Sequence, residues 1–279
     1  HSLTPVLHSL ADVQLFDNLC ARLGRSLPFH FKVDTGLSRL GSLDSPDVIA
    51  AAFKSLARAF PEGLMTHFAS ASDPIGSQTR SQVVRFREIL HRLRELGIEI
   101  PIHHVDATNS LHYPPHEGGY QLARPGHGIY GYVANPPGEP VPGKLAVKPV
   151  LSWYTHVLLT KHLPVGALVG YGALHRATRP TTIAILGVGY ADGYPHALSG
   201  KGRVLLHGRF APVLGAVSMD LTTVDVTDIP GVSAGDLATL IGTNGEESID
   251  ALELGRMAGT ISYAILTNIQ PRVKRVYVP

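Results

Sequence analysis

Two hydrophobic periods alternate along the first 130 residues. Leu3–Leu7 (LTPVL) is a short apolar run that predicts a strand. Ser9 then stands as a helix N-cap with Asp12 three residues on, and Leu15, Phe16, Leu19 and Leu23 recur at helical spacing until Gly24 ends the run. Phe29–Val33 (FHFKV) predicts the next strand, and Ser45-Pro46-Asp47 a helix start with proline at the first helical position. Leu64–Phe68 reads as a strand, Gln78–Leu96 as a long helix stopped by Gly97, and Ile100–Val105 as a further strand. A last strand is expected within Tyr120–Tyr132. Repeated strand–helix units of roughly this length predict a parallel sheet or a (β/α) barrel.

The texture changes after residue 134. Residues 135–143 (NPPGEPVPG) form a Pro/Gly linker. Runs rich in β-branched residues follow: Trp153–Thr160, Thr181–Val188, Val204–Leu206, Val213–Val217, Thr222–Val226 and Leu237–Ile241. A helix capped by Ser248 and reaching Met257 interrupts them, and Arg272–Val278 alternates like a final strand. The pattern predicts an α/β region over residues 1–134 and a mostly β domain over residues 135–279. A full barrel needs eight units of about 30 residues. The first region therefore represents about the C-terminal half of a (β/α)8 TIM-like barrel, and roughly a hundred residues of barrel are expected before His1.

Composition narrows the function classes. The 279 residues carry a net charge of +2, with Lys+Arg 24 against Asp+Glu 22 and no basic cluster, which argues against a nucleic-acid partner. No apolar run reaches the ~20 residues of a membrane span, and no signal peptide is recognisable. The single cysteine, Cys20, excludes an internal disulfide framework, fits a reducing cytoplasm, and reads as a packing residue.

Polar residues cluster where the predicted strands end: Lys32, Asp34 and Arg39; His67; His103 and Asp106; Arg124. That rim is where (β/α) barrels carry chemistry. Arg39 is suited either to a carboxylate substrate or to a rim salt bridge with Asp34. Gly126-His127-Gly128-Ile129-Tyr130-Gly131 matches G-x-G-x-x-G, but a Pro/Gly linker follows where a dinucleotide site needs a helix. Its exposed N–H groups remain able to cradle a phosphate. His103, His104, Asp106, His112 and His116 resemble a metal cluster, yet Pro114-Pro115 prevents a helical ligand pair, and no metal is expected. Gly170-Tyr171-Gly172 and Gly189-Tyr190 place tyrosines in glycine-flanked turns, and Met219-Asp220 follows an apolar run.

Taken in order, FKVDTGLSRLG (31–41), THFASAS (66–72), QVVRF (82–86), ARPGHGIYG (123–131), VGYGA (169–173), GVGYADGYP (187–195), APVLGAVSMD (211–220) and RVKRVY (272–277) resemble the alanine racemase family over nearly the whole chain. The resemblance implies a barrel followed by a β domain, a head-to-tail homodimer with shared active sites, and pyridoxal 5'-phosphate as cofactor. The implied reaction is two-base proton exchange between L-alanine and D-alanine, supplying bacterial peptidoglycan. It also implies roles. Tyr171 is the catalytic base donated to the partner's site, and His67 supports it. Arg39 binds the substrate carboxylate and Lys32, often carbamylated in the family, holds Arg39. Arg124 faces the pyridine nitrogen. Gly126, His127 and Tyr190 surround the phosphate, and Met219 and Asp220 sit at the substrate across the interface.

The departures matter too. Where the family reads H-x-x-N-S, this chain reads His103-His104-Val105-Asp106-Ala107, so Ala107 offers only its backbone N–H to the phosphate. Gly170 stands where a serine usually precedes the tyrosine. None of the lysines, at 32, 54, 144, 148, 161, 201 and 274, stands in the V-K-A-N-A-Y-G-like context of the family's Schiff-base lysine. The chain alone is therefore expected to be inactive. A related barrel decarboxylase of basic amino acids would set an acid against the pyridine nitrogen, and Arg124 speaks against it. A broader amino-acid racemase and a non-catalytic or split partner of an N-terminal fragment are the other readings.

Overall fold

The structure is a computed structural model that describes residues 3–73, 76–116, 118–134 and 142–278. Most of the linker, residues 135–141, lies outside the described residues. Two compact units divide the chain, His1–Lys148 and Pro149–Pro279.

The first unit runs β1 (Val6–Leu7), α1 (Leu10–Leu23), β2 (Pro28–Lys32), α2 (Pro46–Lys54), β3 (Phe60–Met65), α3 (Ser77–Glu95), β4 (Ile102–His104) and α4 (Thr108–His112). The strands form one parallel sheet in the order β1-β2-β3-β4. Sequential parallel order with intervening helices is the wall of a (β/α) barrel. Local chemistry sets the helix ends. Ser9 caps α1 through the Asp12 N–H, and Gly24 ends it at φ +63°. Ser45 caps α2, with Pro46 at its first position.

Side chains alternate across β2. Phe29, Phe31 and Val33 enter a core built with Val13 and Cys20 of α1, Ile49 and Phe53 of α2, and Val83, Phe86, Ile89 and Leu93 of α3. His30 and Lys32 therefore point to the opposite face, away from the helices. A polar face on a buried parallel strand is what a barrel lumen holding chemistry requires.

Asp17, on the buried side of α1, accepts the backbone N–H groups of Ala57, Arg58 and Ala59 and so fixes the entry to β3. These bonds hold its carboxyl below the usual range against the opposing effect of burial. Replacing Asp17 with alanine strands three donors and is expected to cost about 2–4 kcal/mol in denaturant unfolding. A loss below about 0.5 kcal/mol would mean water replaces the carboxylate.

The second unit holds a sheet ordered β10-β9-β12-β5-β8-β11, with β13 paired to β12. Its members are β5 (Trp153–Leu163), β8 (Thr181–Leu186), β9 (Arg203–Leu206), β10 (Arg209–Pro212), β11 (Thr222–Asp225), β12 (Leu237–Asn244) and β13 (Glu247–Ile249). A separate ribbon pairs β6 (Leu168–Val169) with β7 (His175–Arg176), and α5 (Ala251–Ala258) and α6 (Ser262–Asn268) complete the unit.

Several expectations are corrected. The strand expected at Leu64–Phe68 begins at Phe60 and ends at Met65, leaving Thr66–Phe68 as the loop that carries His67. The strand expected within Tyr120–Tyr132 is a single bridge, Ala107 to Arg124, followed by a 3-10 turn over His127–Tyr130. Val213–Val217 is not a strand: pairing ends at Pro212 and resumes only as the Val213–Val224 bridge, because Gly215 turns the chain at φ +69°. The helix expected after Ser248, α5, is capped by Asp250, since Ser248 belongs to β13. Arg272–Val278 has the alternation of a strand but no pairing partner among the described residues.

Candidate active site

In the first unit, three cations meet on the lumen face. Lys32 ends β2 and is buried. The loop after it returns through a parallel bridge from Val33 to Ser42, and Asp34 Oδ1 accepts the N–H groups of Gly36, Leu37 and Ser38. This tight loop carries Arg39 at its tip. Asp34 is thus committed to backbone rather than to a rim salt bridge with Arg39.

Arg124 enters from the opposite side. Its Nη2 donates to the carbonyls of Thr66 at 2.8 Å and Val105 at 3.2 Å, and its Nη1 donates to His104 Nδ1. Its backbone N–H donates to the Asp106 carbonyl at 2.8 Å. The crowding of positive charge is felt by its neighbours. Burial, then Arg39 and Arg124, push Lys32 down, with only Asp34 opposing. His67 is depressed to about 4 by burial, Arg124, Arg39 and Lys32 in that order. Arg124 Nη2 lies 3.5 Å from His67 Nδ1. Because a guanidinium only donates, the His67 proton sits on Nε2.

Strand alternation separates the two adjacent histidines. His104 joins Arg124 in the lumen, whereas His103 lies on the other face beside Leu90, Leu93 and Arg94 of α3. Asp106 pairs with the buried His116 at 2.9 Å. Ala107 is the N-cap of α4 and its N–H is taken by Ser110 Oγ. The next residue, Thr108, accepts the N–H groups of Gly126 at 3.1 Å and Gly128 at 3.0 Å on its hydroxyl oxygen. Two N–H donors converging on one oxygen are the geometry an anion oxygen needs. His127, buried in this turn, stacks on Tyr132 with ring centroids 5.2 Å apart.

The second unit gathers the remaining candidates around one segment, residues 213–220. Gly170, at φ +72°, packs on the Ala216 backbone and presents Tyr171 in a 3-10 turn, 77% exposed. Tyr190 N–H donates to the Ser218 carbonyl at 3.0 Å and Ala191 N–H to the Met219 carbonyl at 2.9 Å. Arg272 clamps the same corner: Nε reaches Asp192 at 2.7 Å and Nη2 reaches Asp220 at 2.5 Å. A Cβ on Gly189 would stand 2.2 Å from the Ser218 carbonyl oxygen. Gly189→Ala is therefore expected to displace the Tyr190 turn from Met219, read as loss of slow amide exchange at Tyr190 and Ala191. Unchanged exchange would show that the loops are not coupled.

Sequence reasoning gave no role in the site to His30, His104, Thr108 or Arg272. His30 and His104 were legible from the F-H-F-K and I-H-H alternation. Thr108 and Arg272 had no local signal, because their partners lie at least 18 residues away.

The family model for the N-terminal domain of alanine racemase matches residues 1–134, and that for the C-terminal domain matches residues 150–277. The alanine racemase of Halothermothrix orenii is 39% identical over 262 residues, covering 94% of this chain and 68% of that protein. That of Carboxydothermus hydrogenoformans is 38% identical, covering 100% of this chain and 75% of that protein. The solved alanine racemase of Streptomyces coelicolor superposes with a TM-score of 0.89 at 28% identity, covering 98% of this chain and 72% of that one. The Bartonella henselae alanine racemase, solved with covalently bound pyridoxal phosphate, gives 0.86 at 28% identity, covering 99% and 73%. With its lumen cations and its exposed tyrosine turn set on this barrel-like unit and this β unit, the chain belongs to the alanine racemase family.

Proposed function

We propose that this chain carries the machinery of an alanine racemase, exchanging L-alanine and D-alanine with pyridoxal 5'-phosphate in a head-to-tail cytoplasmic homodimer that supplies D-alanine for peptidoglycan. The observation that carries the reading is the excess of positive charge in the lumen: Lys32 and Arg124 stand near Arg39, and Asp34 is spent on backbone. A substrate carboxylate and a cofactor phosphate are the anions that such a cluster fits.

Each residue then has a task. Arg39 grips the substrate carboxylate. Burial, then Arg39 and Arg124, bias Lys32 toward the neutral amine that adds carbon dioxide, and the resulting carbamate would attract Arg39 and Arg124. Gly126, Gly128, His127 and the Ala107 region would hold the phosphate, with Thr108 yielding its two N–H donors. Asp106 borders that site, His103 supports its strand, and Tyr190 is assigned to the phosphate by the family resemblance alone. Arg124 donates and cannot give up a proton, so it would keep a pyridine nitrogen unprotonated. When bound, the cofactor supplies a ring that withdraws electrons from the α-carbon.

Tyr171 would enter the partner's lumen, with Met219 and Asp220 beside it, and move the α-proton on one face. A phenol of ordinary pKa near 10 needs help to act as a base. His67, neutral with its proton on Nε2, can donate to the phenol oxygen and stabilise the phenolate.

The other face needs a lysine. Lys32 is buried within the cation cluster and the other six lysines are exposed, so none is placed to serve both as cofactor anchor and as second base. Racemisation by this chain alone, assayed by chiral chromatography of alanine with pyridoxal 5'-phosphate added, is expected to be absent. Measurable turnover would overturn that part of the reading.

A further inference from the structure

On the lumen face, His30 of β2 and His104 of β4 touch across the intervening strand β3. His30 Nδ1 and His104 Nε2 are 2.8 Å apart, with ring centroids separated by 4.9 Å. The contact exists because the β3 residue opposite His30 is Gly63. A Cβ there would stand 2.6 Å from the His30 ring. On its far side His30 Nε2 meets Glu62 Oε2 at 3.3 Å, and on its far side His104 Nδ1 receives Arg124 Nη1. Four side chains thus form one line: Glu62, His30, His104, Arg124.

The direction of that line is forced. A guanidinium only donates, so His104 Nδ1 is an acceptor and the His104 proton is on Nε2. That proton points at His30 Nδ1, which must accept, so the His30 proton is on Nε2 and points at Glu62. Every imidazole dipole then runs the same way, from the part-buried cation to the carboxylate, and aligned hydrogen bonds in a poorly solvated site strengthen one another. Among the described residues the Arg124 side chain donates to no carboxylate, Asp106 acting on it only through space; its direct partners are two carbonyls and two imidazoles. Two uncharged rings relay the counter-charge.

We propose that His30 and Glu62 are positioning residues that, through a tautomer-locked chain over Gly63, fix the rotamer of Arg124 toward the lumen. Why Arg124 must be fixed rests on the function proposed above; whether it is fixed this way does not. The plain alternative is that His30 and Glu62 are a structural pair with no hold on Arg124.

The test is nitrogen-15 NMR of the 279-residue chain labelled in histidine and arginine. At neutral pH both His30 and His104 are expected as the Nε2–H tautomer, with slowly exchanging ring protons. The Arg124 guanidinium is expected to show arrested rotation. Glu62→Gln keeps an acceptor and should preserve all three signatures. Glu62→Lys faces a donor with a donor and should abolish the slow His104 ring proton and free Arg124 rotation at least tenfold. Gly63→Ala should do the same without altering any member of the chain. If Gly63→Ala does not fold, Glu62→Lys, at a partly exposed strand position, decides. An Nδ1–H tautomer at either histidine overturns the proposal, as does arrested Arg124 rotation in folded Glu62→Lys. None of these readouts needs cofactor or turnover, so failure of the racemase reading would leave them intact.

Discussion

Tyr171→Phe is expected to lower racemisation about 10²–10⁴-fold once the chain is complemented with a segment that carries the cofactor lysine. The substitution removes only the hydroxyl that would accept and return the α-proton. The side chain is 77% exposed and stands in a glycine-flanked turn, so the fold of its unit does not depend on it. The alanine KM should stay within about threefold, because the proposed grip on the carboxylate is Arg39 rather than the phenol. Full activity in Tyr171→Phe would remove Tyr171 from the chemistry. A raised KM with unchanged kcat would make it a binding residue instead.

The second large effect is on stability in acid. His67 and His104 are held near 4 and near 3, against 6.5 for a free histidine, by burial first and by Arg124 next. The folded state therefore resists protons that the unfolded chain takes up below about pH 6.5, so stability falls as pH drops from about 6.5 toward 4. The two sites together amount to several kcal/mol, a large share of the stability of an ordinary domain. Asp17 and Asp34 act in the same sense at lower pH, since backbone N–H groups hold their carboxylates below 3.8 despite burial. Denaturant unfolding along this range should show a steep loss, and Arg124→Gln should make that loss shallower, because it relieves the second cause of the depression at both histidines. A flat profile down to pH 4 would mean that the lumen opens to water without unfolding.

Much of this was legible in the sequence where the deciding forces are local. Ser9, Ser45, Gly24 and Pro46 marked helix ends through capping and backbone geometry. The F-H-F-K alternation announced a strand with one face in the core and one that is polar. The failures are non-local. Arg272–Val278 alternates as well as any strand, yet pairing needs an edge to pair with. The pattern at Val213–Val217 could not show that Gly215 would turn the chain. Within the first unit, the charged groups of residues 32, 34, 39 and 124 lie close enough to act on Lys32 or His67. The choice between His103 and His104 hung on the phase of a three-residue strand, Ile102–His104, and a one-residue shift of phase exchanges the faces. Thr108 was hidden because its partners are backbone N–H groups, which carry no residue signature.

The most direct measurement is the visible spectrum and racemase activity of this chain with pyridoxal 5'-phosphate, alone and with a fragment bearing a V-K-A-N-A-Y-G-like lysine strand. The lysine-bound cofactor band and alanine racemisation are expected in the mixture and in neither component by itself. A band and turnover from the chain alone would mean that one of its seven lysines anchors the cofactor, contradicting the placement of Lys32 and of the whole lumen cluster.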